Sequence, residues 1–536
     1  MSMNEQPTEP WHGDQLGPGD VHSQQQDTPS PATQKSARRV GGLSRRKLFI
    51  GLAGVGTAAA VGGGVALEQW VQHGGLKPTL QGPLSTNVQI GHLLRRAGFG
   101  GTPQEISSYA ALGYDQAVDR LINYQQVSDD AMEQRLKSLN LDFTKLQDQQ
   151  RWWLLRMAWT QRPLLEKMTL FWSGHFTSSF QDVGKARDRM ITQNQFLRSH
   201  AFDTFDNLLL GITADPAMLV YLNLTQSRKK VPNENYAREL MELFTLGLGH
   251  YTQQDVYEAA AALTGWHVVG QTTTSEYLEN THNNQIKTYL GHMGDLDYKD
   301  VINILANHPA TPWFICRKLF TFFAYENPSD DDLKPLVNAY VKSNHNMGEV
   351  IKTLLLSPQF TSDKAYRSRI KSPTEFVVGA YRALNIQGNG TGLPAAMTSM
   401  GQTLFDPPNV AGWPGDKNSS LWLNSGTWMA RLNLINQLLL RGGGHAGAYQ
   451  PLDLQGIVNQ NHIDSPEHFV DYFTSFLLDG KLDQDRKAPL VDYFTTNDNA
   501  KKRVRRITLT NGKSYPINRV RGALYLLMGL PEYQLN

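Results

Sequence analysis

Apolar side chains recur at helical spacing along most of the chain from residue 88 onward, and this periodicity constrains the fold more than any other feature. In the segment "PLLEKMTLFWSGHF", Leu164, Met168, Phe171 and His175 follow one another at intervals of three or four residues, so they lie on one face of a helix. Helix start signals accompany the pattern, as where Thr102 directly precedes a proline. We therefore predict a mainly α protein.

The helices are expected to pack as an orthogonal or bundle-like body with long ordered loops. One such loop, 405–415, is punctuated by prolines yet contains Phe405 and Trp413, and such loops are ordered by docking their aromatic side chains. Near the C-terminus, Asn511-Gly512 separates two β-prone runs and predicts a minor β-hairpin. We predict a helical core domain over 88–440. A C-terminal helical subdomain with the hairpin, over 448–536, should pack on that core.

Composition limits the partners and sites that are available. Of the 536 residues, 40% are hydrophobic, enough for roughly two to four packing units. The formal net charge of +2, without a basic run interleaved with aromatics, argues against a nucleic-acid partner. Cys316 is the only cysteine, which excludes intrachain disulfides and thiolate metal cages. Its apolar helical surroundings predict an inert core thiol.

The N-terminal segment predicts export. Residues 1–43 are polar and proline-rich and are expected to be disordered. Ser44-Arg45-Arg46 then precedes a glycine-rich, weakly hydrophobic run to residue 67, which resembles a twin-arginine signal; an ordinary membrane helix is the alternative. We expect the twin-arginine translocase as a partner and a periplasmic or extracellular location at the cell envelope. Contact with the membrane is expected only through this segment, if it stays uncleaved. Because the route carries folded proteins, it favours a bound cofactor.

His175 lies within the apolar run quoted above, and a buried imidazole needs a partner for each ring nitrogen. A backbone carbonyl and a neighbouring side chain would satisfy it as a core residue. Alternatively, a metal or haem iron would take one nitrogen and an orienting acceptor the other. This helix alone leaves both interpretations open.

A second polar motif lies on the helix predicted over 232–247. Glu234, Arg238 and Glu242 form a stripe at i, i+4 and i+8, and Asn235 and Glu239 lie beside it. Such a stripe is usually a salt-bridge ladder, and it would be catalytic only if it were buried.

The region after this helix holds further polar candidates. Trp266 follows a helix end, where functional loops are common. Glu279 and His282 form one Glu-x-x-His pair, whereas a di-iron bundle needs two such pairs and two further glutamates. Asp297 fits a helix cap better than a calcium loop.

Seven motifs follow one another in a fixed order between residues 88 and 536: "HLLRRAGFG", "EKMTLFWSGHF", "NENYARELMELFTLG", "YTQQDVYEAAAALTGW", "HPATPWFICRKL", "FDPPNVAGWPG" and "LPEYQLN". Together they resemble a large bacterial family of exported proteins, named domain of unknown function 1800. The resemblance implies a mostly helical body and a co-encoded exported partner protein. For some relatives it implies haem-dependent hydroxylation.

The resemblance also points to particular positions. Relatives commonly carry Trp-His-x-His-Phe, whereas here Ser173 stands where the first histidine would be, leaving His175. The residues that match the shared polar motifs are His92, Arg95, Arg96, His175, Asn233, Glu234, Asn235, Arg238, Glu239, Glu242, Trp266, His282 and Trp413.

The favoured hypothesis is an exported oxidoreductase, a hydroxylase among the options, that depends on haem or on a single transition-metal ion. In the haem version the cofactor is held by His175 as proximal ligand, by Arg95 or Arg96 at a propionate, and by Trp266. In the metal version His175 and His282 combine with a glutamate. The expected catalytic residues are Glu239, Glu242, Arg238 and Asn235.

The alternative is a non-catalytic assembly or scaffold protein of the cell envelope that works with a co-exported partner. In that case His175 and the polar helix are internal hydrogen-bonding groups that fix a large helical core. A hydrolase is disfavoured, because the sequence contains no Gly-x-Ser-x-Gly elbow, Walker loop or His-Glu-x-x-His motif.

Overall fold

The structure of the protein is a computed structural model, and it describes residues 84–441, 452–496 and 505–536. The predicted disordered region 1–43 and the predicted export signal 44–67 lie outside these residues. Within them, the prediction of a mainly α fold is confirmed, since they form 23 α-helices and only three small two-stranded sheets. Among the same residues, none of the helices combines the length and the hydropathy that crossing a bilayer requires.

The helices are numbered in chain order. The first nine in the described chain are α1 Thr86–Arg96, α2 Pro103–Ala110, α3 Tyr114–Ile122, α4 Asp130–Lys137, α5 Leu146–Trp159, α6 Pro163–His175, α7 Arg189–Ser199, α8 Phe205–Ala214 and α9 Pro216–Tyr221. The next seven are α10 Asn235–Glu239, α11 Gln253–Ala262, α12 Tyr298–Asn307, α13 Ala310–Phe323, α14 Asp330–Lys342, α15 Met347–Leu355 and α16 Pro373–Ala383. The remainder are α17 Leu393–Thr398, α18 Pro414–Lys417, α19 Ser425–Asn436, α20 Leu454–Gln460, α21 Pro466–Leu477, α22 Gln484–Thr495 and α23 Ile517–Met528.

Shorter helical turns and strands complete the described chain. Two π-helices span Leu240–Thr245 and Gln437–Arg441, and 3₁₀ turns span Tyr124–Gln126, Leu224–Gln226, Glu279–Thr281, Ser419–Trp422 and Pro531–Gln534. The strands are β1 Trp266–Val268, β2 Ser275–Tyr277, β3 Lys287–Tyr289, β4 His292–Gly294, β5 Arg506–Thr508 and β6 Ser514–Pro516, paired antiparallel in sequence order.

The predicted hairpin near the C-terminus is confirmed by β5 and β6, whose connection contains Asn511 and Gly512. The two hairpins between 266 and 294 were not predicted, because strands of three residues are too short to show an alternating pattern. The helix starts agree with the sequence. Thr102 and Glu105 exchange hydrogen bonds at the start of α2, and Asp297 caps α12.

Two large hydrophobic cores organise the described residues, beside a small cluster that contains Trp413 and Trp422. The first runs from Ile90 to Ala365 in sequence, and the second collects residues between Phe99 and Tyr533. Helix α6 contributes Trp172 to the first core and Leu170 to the second, so it is buried on all sides. The second core joins residues from both predicted domains, and the boundary between 88–440 and 448–536 stays a prediction.

The long loop before α18 is ordered by its aromatic side chains, as predicted. Phe405 and Trp413 are buried, and the backbone oxygen of Phe405 accepts a 2.7 Å hydrogen bond from the backbone N–H of Phe180. Gln150 donates to the carbonyl oxygen of Leu404 at 3.0 Å. These contacts hold the loop against α5 and against the segment that follows α6, and the loop thereby forms one wall of the cavity described next.

Candidate functional site

A cavity of about 320 Å³ opens beside the C-terminal end of α6. Its walls come from α6, from the π-helix Leu240–Thr245, from α13 and from the loop that leads into α18. The aromatic lining residues are Phe171, Phe314, Phe322 and Trp413. The ionisable lining residues are His175, Glu242, Arg317, Lys318, Asp416 and Lys417. A concave, mostly apolar site with a few convergent polar groups is typical of a small-molecule pocket.

His175 and Lys318 form the polar centre of this cavity. The Nδ1 atom of His175 lies 2.7 Å from the Nζ atom of Lys318, and its Nε2 atom lies 3.0 Å from the carbonyl oxygen of Phe244. A carbonyl oxygen only accepts, so Nε2 carries the ring proton and Nδ1 carries the lone pair. Nδ1 therefore accepts a hydrogen bond from the amine of Lys318, which also donates to the carbonyl oxygen of Leu243 at 3.2 Å.

The π-helix explains why these backbone acceptors are available. Helix α10 continues into Leu240–Thr245 and ends there, and the backbone N–H groups of Leu246 and Gly247 both return to the carbonyl oxygen of Met241. The carbonyl groups of the last turn consequently have no further helical N–H to bind. Those of Leu243 and Phe244 instead accept from Lys318 and His175. Single π-turns of this kind are frequent at functional sites.

Burial determines the charge states of Lys318 and His175. Burial and the neighbouring ammonium of Lys417 lower the pKa of Lys318 to about 7, against a smaller opposing effect of Asp416. Burial and the amine of Lys318 hold the pKa of His175 well below its ordinary value, so the ring is neutral. Near neutral pH a substantial share of Lys318 is therefore an uncharged amine.

Asp416 is the acidic counterpart on the wall formed by α18. Burial raises the pKa of its carboxyl to about 7, although Arg369 opposes the shift, so part of it carries a proton at neutral pH. The carboxyl comes so close to α6 that a methyl group on Gly174 would lie 3.1 Å from its Oδ2 atom. Gly412 has φ +78°, and a methyl group there would meet the carbonyl oxygen of Gly174 at 2.6 Å. These two glycines allow the loop to press against the helix.

Among the residues singled out in the sequence, His175, Glu242 and Trp413 line the cavity. The carboxylate of Glu242 accepts a hydrogen bond from the hydroxyl of Tyr251 at 2.7 Å. Glu239 is partly buried, and its pKa is raised by burial and then by Glu242, but it does not line the cavity. Arg238 pairs with Glu234 at 3.0 Å on the surface, as expected of a salt-bridge ladder.

The remaining predicted residues lie elsewhere. Asn235 is exposed at the start of α10. Arg95 binds the carboxylate of Asp479, and Arg96 donates to backbone oxygens at the end of α13. Neither arginine lines the cavity, although Nε and Nη2 of Arg95 are buried without a partner in the described chain.

Trp266 and His282 lie together near β1 and β2. Trp266 packs against Tyr277 and Tyr298. The Nδ1 atom of His282 lies 2.9 Å from the carbonyl oxygen of Thr264, and neither residue lines the cavity. The structure thus does not bring His282 to His175. Over 84–441, 452–496 and 505–536 there is also no group of three or more His, Cys, Asp and Glu residues placed to hold a metal ion.

A haem iron or metal ion at His175 would need the lone pair of one ring nitrogen. Here Nε2 is protonated and bonded to Phe244, and the lone pair of Nδ1 is taken by Lys318. The histidine therefore does not fit a ligand role while Lys318 remains bonded to it. The haem and metal hypotheses stay predictions that this arrangement does not support.

Lys318, Asp416 and Lys417 were missed by reasoning from the sequence. The segment containing Lys318 reads as a buried apolar helix, and this reading is correct for Cys316, which is fully buried. The available signal was the lysine itself. Lys318 follows Phe314 by four residues and precedes Phe322 by four, so it shares the aromatic face of α13. Asp416 and Lys417 directly follow the proline-rich motif, in which the aromatic residues Phe405 and Trp413 were the ones considered.

Comparisons with known proteins find similarity at the level of a family. Neither the curated proteins nor the solved structures contain a match to this chain. Residues 92–535 match the family described as "Protein of unknown function (DUF1800)", which is most of the 536 residues. The chain therefore belongs to the DUF1800 family.

Proposed function

We propose that this protein is an enzyme whose active site is the cavity beside His175, with the amine of Lys318 forming an imine with the carbonyl group of a small, largely apolar substrate. The observation that carries this proposal is the amine itself. It is held by the ring of His175 and by the carbonyl of Leu243, on the wall of a cavity of about 320 Å³. Desolvated lysines in apolar pockets are established nucleophiles toward carbonyl compounds.

The hydrogen bonds of Lys318 leave one position on its nitrogen for the substrate. An ammonium group has three N–H bonds, and two of them are directed to His175 Nδ1 and to the oxygen of Leu243. Loss of the third proton leaves a lone pair. The lowered pKa of Lys318 supports this state near neutral pH.

The chemical step balances with the groups at hand. The lone pair of Lys318 attacks the carbonyl carbon, a C–N bond forms, and the carbonyl oxygen takes a proton from the Asp416 carboxyl. The nitrogen then returns a proton to Asp416, and Asp416 protonates the hydroxyl group. This group leaves as water while the nitrogen lone pair forms the C=N bond, which leaves the imine protonated and Asp416 ionised. Carbonyl compound and amine thus become imine and water. A protonated imine withdraws electrons from the adjacent carbon, so the reaction class is cleavage of a C–H or C–C bond next to a carbonyl.

Trapping of the imine tests the proposal. The full chain is incubated with benzaldehyde and sodium cyanoborohydride at pH 7, and the benzylated lysines are located by peptide mass spectrometry. We expect Lys318 to be labelled at least about tenfold faster than an ordinary surface lysine, because far more of it is unprotonated. Lys334 is the internal reference, since its side chain is 63% exposed and pairs with Asp331 at 2.7 Å.

Matched variants separate the site from general reactivity. Lys318→Met should lose the adduct in this peptide and keep the labelling of the other lysines, whereas Lys334→Met should keep the adduct on Lys318. If Lys318 is labelled no faster than Lys334, the proposed function is wrong.

The two hypotheses drawn from the sequence stay predictions beside this one. A haem- or metal-dependent oxidoreductase would need His175 to exchange Lys318 for iron. A non-catalytic envelope protein would leave Lys318 unreactive, with His175→Ala affecting stability alone. Export by the twin-arginine route and a co-exported partner likewise stay predictions.

A further inference from the structure

The cavity carries more positive than negative charge. Its basic residues are Arg317, Lys318 and Lys417, and its acidic residues are Glu242 and Asp416. Burial raises the pKa of Asp416 to about 7, so this carboxyl is only partly ionised at neutral pH. A site that gathers cations while keeping one of its acids partly neutral favours an anionic ligand.

Lys417 is the cation whose charge remains uncompensated. Within the described part of the chain its ammonium has no hydrogen-bond or ion-pair partner, and its side chain is exposed at the cavity. Its charge acts on Lys318 and on His175, which places the ammonium within electrostatic range of both. Arg317 differs, because it donates to the carbonyl oxygen of Pro328 and pairs with Asp330 at 2.7 Å.

The other walls indicate the rest of the ligand. Phe171, Phe314, Phe322 and Trp413 surround the same space. Aromatic rings pair favourably with other aromatic rings, in stacked or edge-to-face arrangements. A volume of about 320 Å³ is at the small end of ligand pockets and suits a single ring with short substituents.

We infer that the substrate is an aromatic carboxylic acid that also carries a carbonyl group, with the carboxylate bound by Lys417 and the carbonyl carbon held at Lys318. This inference rests on the function proposed above. The carboxylate supplies the counter-charge that Lys417 lacks, and the ring fills the space between the phenylalanine and tryptophan side chains.

Two probes of equal shape test the inference. 4-Carboxybenzaldehyde carries a carboxylate, and 4-formylbenzamide replaces it with a neutral amide. Each is trapped on the full chain with sodium cyanoborohydride, and the concentration giving half-maximal labelling of Lys318 is measured by peptide mass spectrometry. We expect the acid to give half-maximal labelling at a concentration at least about tenfold lower than the amide, because the amide lacks the charge-assisted contact.

Variants of Lys417 test whether its ammonium group causes the preference for the acid over the amide. In Lys417→Gln the two probes should give half-maximal labelling at similar concentrations. In Lys417→Arg the preference for the acid should be retained. The ratio is unaffected by any change in the reactivity of Lys318, because both probes react with the same amine. Lys334 is not among the residues that line the cavity, so Lys334→Gln should leave the ratio unchanged.

The possible outcomes distinguish the two proposals. If both probes label Lys318 with equal efficiency, or if Lys417→Gln keeps the preference, the substrate class is wrong and the proposed function stands. If neither probe labels Lys318 although benzaldehyde does, the substrate class is wrong and the proposed function stands. If benzaldehyde also fails to label Lys318, the proposed function fails and the inference fails with it.

Discussion

The reactivity of Lys318 should titrate near neutral pH, more than three pH units below that of an ordinary lysine. Its pKa is lowered from 10.5 to about 7, first by burial and then by the charge of Lys417. At pH 7 about half of this amine is then neutral, against about 0.04% of an ordinary lysine. At pH 5 the neutral fraction of Lys318 falls to about 1%. Because only the neutral amine attacks, its labelling should drop about 50-fold between pH 7 and pH 5.

Above neutral pH the labelling of an ordinary lysine should increase far more than the labelling of Lys318. Labelling of Lys318 should rise only about twofold from pH 7 to pH 9, while that of an ordinary lysine should rise about a hundredfold. The assay is competitive labelling of the intact protein with trace acetic anhydride at a series of pH values. Peptide mass spectrometry gives the ratio of acetylated Lys318 to acetylated Lys334, and the ratio cancels hydrolysis of the reagent.

Charge variants should shift the midpoint of the Lys318 titration in opposite directions. The charged groups that face Lys318 are Lys417 and Asp416, with neutral His175 bonded to it. Lys417→Gln removes a repulsion and should move the midpoint upward, whereas Asp416→Asn removes an attraction and should move it downward. A midpoint above pH 9 in the parent protein, rising in parallel with Lys334, would refute the reasoning about this site.

Three further predictions concern the scaffold and export. Asp479→Asn should lower the free energy of unfolding by about 3–5 kcal/mol in a denaturant titration, because it leaves Arg95 and Arg367 buried without their shared carboxylate; a loss under 1 kcal/mol would contradict this. Gly412→Val should cost about 1–3 kcal/mol by the same measurement, since valine is strained at φ +78° and its Cβ would meet the oxygen of Gly174, and an unchanged midpoint would count against the close packing. Replacing Arg45 and Arg46 with lysine should stop delivery to the periplasm in a fractionation experiment, and continued delivery would speak against a twin-arginine signal.

The pH dependence of stability should reflect the same buried carboxylate. Although burial opposes it, Arg95 and Arg367 hold the pKa of Asp479 well below its ordinary value. A carboxyl with a lowered pKa in the folded state stabilises above its unfolded pKa, and the contribution is lost as the pH falls below about 4. The unfolding free energy of the parent protein should therefore fall in acid more steeply than that of Asp479→Asn. If the unfolding free energy falls equally steeply in both proteins, Asp479 does not cause the acid dependence.

The helical framework was predictable from the sequence because its signals are local. The start of α2 at Thr102 and the burial of His175 on α6 follow from residues three to eleven positions apart. The docking of Phe405 followed from the composition of its own loop. Each conclusion needed only a short segment and a known periodicity.

The site was less accessible because it depends on contacts between distant segments. His175 meets Lys318 across 143 positions, and Asp416 reaches the same cavity from a third segment. A lysine on an apolar helix has no periodic signal of its own, and its partner is a ring nitrogen rather than an oppositely charged side chain. The π-turn at Leu240–Thr245 was equally hidden, since its sequence predicts an uninterrupted α-helix.

That π-turn has a consequence for any mutational survey of the protein. The oxygen atoms that fix the imidazole and the amine belong to the peptide backbone of Leu243 and Phe244, so exchanging either side chain leaves both anchors in place. An alanine scan would pass over them. What threatens them is a change of length: removing one residue from Leu240–Thr245 would tighten the coil and rotate both oxygens away from their partners.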